Sequence, residues 1–335
     1  MRQSRIPASL AGGELKQKAI VCFEFDGTNF QMVWASSSAG GPTTGGGPIY
    51  LLANANWYVN SSTGSDTLYD GTSPTVVAGT IHGPFATIQK ACSTVPLYNL
   101  NNYNVTIHVA DGSYGSFVAG KINGSGSVTI IGNTSTPGNC VITGTNITAA
   151  IFYYTQGQYT FRGFAMSTTG SSSSDPMCGI QIVGNSTQVF LGELTWGPCT
   201  GAHIAITLNA IAGNLIAGGL WTLAGGCSYW LYPGSLWGGC HLIVNTGGQF
   251  IGNANGGPAY NIPSAIGFSG SFVQCTSFGN SGLVYSSVTG FANVTVGRKF
   301  TVNSLSEIVT GGGGVNYYPG PTAGIADNTT GGYYQ

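Results

Sequence analysis

From Asn104 onward, apolar or β-branched runs of four to six residues recur about every ten residues, separated by Gly, Asn and Ser. They read VTIHV (105–109), VTIIG (128–132), CVITG (140–144), IFYY (151–154), YTFRGF (159–164), GIQIVG (179–184) and TQVFLG (187–192). The series continues with HIAITL (203–208), HLIVN (241–245), FVQCTS (272–277) and NVTVG (293–297). Runs of this length with turn residues between them are strands, and many of them at even spacing leave three architectures: sandwich, barrel or solenoid.

Charge selects among the three. Only 6% of the 335 residues are charged, while 42% are hydrophobic. A sandwich shows every second side chain to water, and many of those would be Lys or Glu. Here the polar positions are Ser, Thr and Asn, and 55 glycines supply turns. In a parallel β-helix, equivalent residues of successive rungs lie ~5 Å apart, so like charges repel while Thr and Asn stack without that cost. Gly and Asn also take the tight left-handed turns between strands. The expected fold is all-β: a right-handed parallel β-helix (solenoid).

Upstream, AIVCFEFDGTNFQMVW (19–34) sets two apolar runs around Asp26–Asn29, a β-hairpin signal. ASSSAGGPTTGGGP (35–48) has linker composition. The expected organisation is an N-terminal hairpin module over 1–34, a linker over 35–56, and the solenoid over 57–335. One helix is expected, over 84–95. Phe85, Ile88, Cys92 and Val95 share one helical face, with Pro84 at its start and Pro96 at its stop. Laid over the first rung, that face would cap the open end of the solenoid.

The stretch WYVNSSTGSDTLYDGTSP, then GPFATIQKA and VTIHVADGSY (57–114), resembles the entry sequence of pectate-lyase-like right-handed parallel β-helix proteins. The tail from Gly297 to Gln335 resembles the C-terminal end of bacteriophage tail-fibre and tailspike proteins of that architecture, and CFEFDGTNFQMVW resembles a short module found upstream in them. The resemblance implies a homotrimeric virion appendage, assembled in the host cytoplasm. It would attach by its N-terminus to other tail or baseplate proteins and bind a host surface polysaccharide.

Bulk charge agrees with that partner list. A net charge of −1 with no basic stripe gives nucleic acid nothing to hold. The N-terminus carries no signal-peptide pattern. Leu208–Cys227 is uncharged but holds Asn209, Asn214 and five glycines, which argues against membrane insertion. The eight cysteines form no CxxC pair, so buried thiols are expected. No cofactor is expected.

Candidate sites follow from the scarcity of chemistry. Between Gly112 and Gly297 the acids are Asp175 and Glu193 and the cations Lys121 and Arg162. Glycoside cleavage needs two carboxylates, so Asp175 and Glu193 are the one available catalytic pair, with a loop-tip Asp and a surface Glu as the alternative. A polysaccharide depolymerase of this fold, hydrolase or lyase, is therefore the second functional reading, and a bacterial surface adhesin the third. Asp66, Asp70 and Asp111 could gather around Ca²⁺, although Gly-Ser-Asp and Tyr-Asp-Gly are also turn chemistry. His82, His108, His203 and His241 sit singly, at no metal-ligand spacing. Trp221, Tyr229, Trp230, Tyr232 and Trp237 concentrate flat aromatic faces suited to a glycan, or alternatively to a subunit interface.

Overall fold

A computed structural model of the chain describes residues 21–25, 30–35 and 49–335, apart from 173, 215–218, 229, 233–234, 238 and 253–256. The chain divides into two compact units, Met1–Ile49 and Tyr50–Gln335. In the first, Val21–Phe25 pairs antiparallel with Phe30–Ala35, the arrangement the two apolar runs around Asp26–Asn29 call for. The linker stretch 36–48 lies outside the described residues.

The second unit is a parallel β-helix. Three long parallel sheets of ten, eight and seven strands run its length. The chain visits them in turn, so each strand pairs with its equivalent one rung before and after. Tyr159 lies between Val128 and Val189 in the ten-stranded sheet, and Ile142 between Tyr114 and Met166 in the seven-stranded one. The stacking runs from Ala55–Val59 to Tyr333–Tyr334.

Alternation decides which side chains face inward. In Val105–Val109 the residues Val105, Ile107 and Val109 are buried, and Thr106 and His108 point out. Aromatic rings fill the wider rungs, as where Phe161 stacks on Phe164 with ring centroids 4.5 Å apart. Outside, short polar side chains bond from rung to rung, as the low charge content requires. Thr143 Oγ1 lies 3.3 Å from Ser167 Oγ, and Ser271 Oγ lies 2.6 Å from Thr301 Oγ1. Ala205 and Ile243 are outward positions of the eight-stranded sheet yet are buried, in a second small apolar cluster with Cys178, Ala202 and Cys240.

Helix α1 spans Ile88–Thr94, within the expected 84–95. Thr87 is its N-cap, with Oγ1 accepting from Lys90 N at 3.1 Å, and Pro96 opens the short 3-10 turn that follows. Phe85 precedes the helix and bridges to Val59 in the first strand. Phe85, Ile88, Cys92 and Val95 are all buried in the main core, but the helix is shorter than expected, so Pro84 and Phe85 stand before it and Val95 at its end. Gly71 (φ +76°) lets the loop pass over Phe85, whose ring would lie 2.2 Å from any Cβ placed there.

Leu208–Cys227 contains the strands Ile211–Asn214 and Leu220–Leu223. Among the described residues no helix is long and apolar enough to cross a membrane. Cys92, Cys140, Cys178, Cys199, Cys227 and Cys275 are free thiols in the interior. Burial pushes the Cys92 and Cys199 thiols up to about 12, which makes them poor nucleophiles.

Candidate functional site

The three aspartates weighed as calcium ligands do not meet. Asp66 serves the start of helix α1: its Oδ1 accepts from the Ala86 and Thr87 amides at 2.8 and 3.1 Å, and its Oδ2 from Thr87 Oγ1 at 2.6 Å. Asp70 Oδ1 closes a turn with the amide and hydroxyl of Thr72, and its Oδ2 lies 2.7 Å from His82 Nδ1. Asp111 accepts from the side-chain amides of Asn133 and Asn139. Hydrogen-bond donors thus occupy each carboxylate, and among the described residues no three metal-ligating side chains converge.

The two catalytic candidates sit at different corners of the solenoid. Asp175 lies in the loop joining the seven- and eight-stranded sheets, where its Oδ1 accepts from the Thr148 amide, the Thr148 hydroxyl and the Met177 amide at 2.7–2.8 Å. Glu193 lies in the turn joining the ten- and seven-stranded sheets, with both oxygens held by Arg162 at 2.8 Å. Asp175 and Glu193 are therefore corrected as a catalytic pair, since the two carboxylates do not share one face. Stacked residues in this region are 24 to 30 positions apart, as Ile180 on Ile204 and Phe164 on Leu194 are, so 18 residues fall short of one rung.

Trp221 is also corrected as a surface platform. It is 1% exposed and its Nε1 donates to Gly192 O at 2.6 Å, with the neighbouring Trp196 equally buried. Tyr229 lies outside the described residues, as do the side chains of Trp230, Tyr232 and Trp237. Their backbone forms a two-stranded antiparallel ribbon, Trp230–Tyr232 with Ser235–Trp237, in which Trp230 pairs with Trp237. This ribbon is an insertion between the rung strands Leu220–Leu223 and Leu242–Asn245.

What the ribbon is rooted to was not legible in the sequence. In the strand Ile266–Thr276, Gly267 pairs with Val296 and Ser271 with Arg298 of Val294–Val302. Phe268, Ser269 and Gly270 therefore bulge opposite the single Gly297. Gly297 has φ +110°, and a Cβ there would lie 2.5 Å from Phe268 O, so the close approach needs glycine. Both stems of the ribbon clamp this bulge. Ser269 N donates to Cys227 O at 3.0 Å, Gly239 N to Ser269 Oγ at 2.7 Å, and Gly270 N to Gly239 O at 3.0 Å.

Below the bulge, on the outer face of the eight-stranded sheet, is an open groove of about 400 Å³. Ser269, Ser271, Gln274, Arg298, Thr301 and Thr322 line it. Arg298 is the one ionisable residue in its wall, and it lies one position beyond the interval in which sequence reasoning counted cations. The adjacent cations in GRKF, within a chain that has nine Lys and Arg, were the available signal.

The histidines read as single do not all stand alone. His203 and His241, one rung apart, bring their Nδ1 atoms to 2.9 Å in the fully buried core. His203 Nε2 lies 3.1 Å from Gly197 O, and His241 Nε2 lies 2.9 Å from Tyr260 Oη. A carbonyl accepts only, so His203 donates from Nε2 and accepts at Nδ1 from His241, whose Nε2 then accepts from the Tyr260 hydroxyl. This network is satisfied with both rings neutral. Burial holds His203 at about 3 and His241 well below the usual imidazole value, the latter helped by the neighbouring His203. The remaining pair behaves as surface groups: His108 stacks on Tyr58 and meets Asn56 Oδ1 at 3.0 Å, and His82 faces Asp70.

Fold and groove together define a class: a parallel β-solenoid with an aromatic-rich ribbon rooted beside a polar groove on one outer face. Comparison with protein-family models, curated proteins and solved structures finds no match for this chain.

Proposed function

We propose that this chain is a phage tail-fibre or tailspike subunit that binds a host surface glycan. The observation that carries the glycan part is the ribbon Trp230–Trp237, which is clamped to the bulge that walls the groove. Flat aromatic residues beside a groove lined with hydroxyl and amide groups offer both contacts that a sugar ring uses, apolar C–H faces and polar edges. The virion part rests on the sequence resemblance at 297–335 and in CFEFDGTNFQMVW, and the parallel β-helix supports it.

A homotrimer is part of the same reading. Tyr154, Leu208, Phe278 and Leu305 are large exposed apolar side chains at turns between the eight- and ten-stranded sheets, although the intervening turns at 184–186 and 246–248 carry none. Exposed apolar side chains recurring along one corner suit burial against other copies of the chain. Cleavage is less well supported, because the carboxylates of Asp175 and Glu193 are held by structural partners.

The test is adsorption of purified protein to host cells. The double variant Trp230→Ala/Trp237→Ala is expected to reduce adsorption at least ~10-fold while light scattering still reports the mass of the assembled oligomer, since each aromatic contact contributes about 0.5–1.5 kcal/mol beyond the area it buries. Loss of assembly with unchanged adsorption per oligomer would assign the aromatics to the subunit interface instead.

A further inference from the structure

We infer that the groove below the ribbon is selective for saccharides that carry a carboxylate, with Arg298 as the residue that reads the charge. The inference rests on the glycan-binding reading and sharpens it from any glycan to a uronate-containing one.

The argument begins with Arg298 itself. Two ion pairs form among the described residues, and the other lysines and arginine there, Lys90, Lys121, Lys299 and Arg298, have no carboxylate partner. Arg162 uses Glu193 and His82 uses Asp70. Arg298 has no carboxylate partner among the described residues, and its guanidinium makes one long hydrogen bond to them, from Nη1 to Ala323 O at 3.5 Å. Lys299, next to it, is turned to Asn316. The guanidinium is exposed at the groove and most of its donors are uncommitted.

The backbone around Arg298 is fixed. Its strand position is tied to Ser271 on one side and bridges to Thr322 on the other, with Lys299 N donating to Thr322 O at 3.0 Å and Thr322 N to Gly297 O at 3.2 Å. A planar guanidinium on a held backbone matches the two oxygens of a carboxylate, and a single positive charge balances a single negative one. The rest of the wall is neutral: Ser269, Ser271, Gln274, Thr301 and Thr322 bring hydroxyl and amide groups that suit sugar hydroxyls and add no second cation. A phosphate monoester, with nearly twice the charge, would find only one cation there.

The experiment measures affinity of the full chain for a panel of uronate oligosaccharides (glucuronate, galacturonate and mannuronate), for the same oligosaccharides with their carboxyl groups reduced to alcohols, and for dextran oligosaccharides. Adsorption to host cells is measured in parallel. The expected result is that a uronate binds, that reducing its carboxyl weakens binding at least ~10-fold, and that Arg298→Gln produces the same loss without further effect on the reduced sugar. Arg298 is exposed, so the Gln variant is expected to fold; Thr301→Val, which keeps shape and removes a hydroxyl of the wall, serves as a second probe and should weaken reduced and unreduced sugars equally. Equal affinity for uronate and reduced sugar, or no effect of Arg298→Gln, overturns the inference. Failure to bind any uronate while adsorption to cells persists overturns the inference and leaves the glycan reading standing. Failure of both binding and adsorption overturns both.

Discussion

The loop over helix α1 and the middle of the solenoid both hold polar side chains at the edge of or inside an apolar core, and they do so by different means. Asp66 finds its donors in Ala86 and Thr87, at the far side of one loop, and remains partly in contact with water. His203, His241 and Tyr260 find one another across successive rungs and are shut off from water altogether. Amides and a hydroxyl point at the carboxylate, and solvent is near. The imidazoles can exist there only neutral, because burying a charge without a counter-charge costs far more than burying a hydrogen-bonded neutral ring. One region thus holds a carboxylate near water and the other holds neutral rings away from it, and acid should act on the second.

The largest expected effect is acid destabilisation from the middle of the solenoid. Burial holds His203 at about 3 and His241 well below the usual value in the folded chain. Unfolded, both take up protons near a pKa of about 6.5. A depressed folded pKa means that the stability is complete above about pH 6.5 and is lost as pH falls toward 3, at about 1.4 kcal/mol per pH unit for each ring. At about pH 4.5 the His203 ring alone costs roughly 2–3 kcal/mol, and His241 adds to it in the same direction. Urea unfolding followed by tryptophan fluorescence at neutral and acid pH measures this directly. A stability that stays flat down to about pH 4.5 would mean that the rings are hydrated or charged in the folded state, and the contrast with the helix end would disappear.

A smaller effect is expected from the cap. Asp66→Ala removes one bond to the Ala86 amide and two to Thr87, leaving the start of helix α1 without its carboxylate. The expected loss is about 2–3 kcal/mol, because bonds to a charged acceptor are stronger than neutral ones. It should be local: hydrogen exchange should accelerate over 85–94 and leave amides of the middle rungs protected. Acceleration spread evenly along the solenoid would show that the cap and the rungs unfold as one unit.

The same contrast explains what the sequence reveals. The apolar face Phe85, Ile88, Cys92 and Val95 and the turn residues around Asp66 and Asp70 are local signals, and they led to the helix and the loop. Runs such as Val105–Val109 and Cys140–Thr145 were legible because alternation inside a strand is local too. Three-residue strands such as Leu194–Trp196 and Gln249–Ile251 were not, since too few residues alternate to give a period. Corners were hidden for another reason. Ser277–Phe278 and Ser304–Leu305 take left-handed φ where Gly or Asn would be expected, held by rung-to-rung bonds such as Phe278 N to Ser304 O at 3.1 Å. The His203–His241 contact and the clamping of Ser269 by Cys227 and Gly239 depend on which rung follows which, and loop insertions such as 224–241 change that spacing without any local mark. The candidate site was therefore legible as an aromatic-rich segment and illegible as a groove.

The smallest effect sharpens the comparison at its surface limit. Asp70 is about one quarter exposed and His82 about half. Burial raises the Asp70 carboxyl, but the Thr72 hydroxyl and amide, together with His82, outweigh it and leave the group below the usual carboxylate value. A depressed carboxylate contributes stability above its unfolded value of about 3.8 and loses it as pH falls further, so its window lies below most of the histidine window. Exposure and salt screen the pair, and Asp70→Asn is expected to cost no more than about 1 kcal/mol at neutral pH, less at high salt. Urea midpoints at low and high ionic strength would show it. A salt-insensitive loss of several kcal/mol would move Asp70 out of the class of surface turn residues, and would mean that the loop over helix α1, like the middle of the solenoid, depends on a polar group that water does not reach.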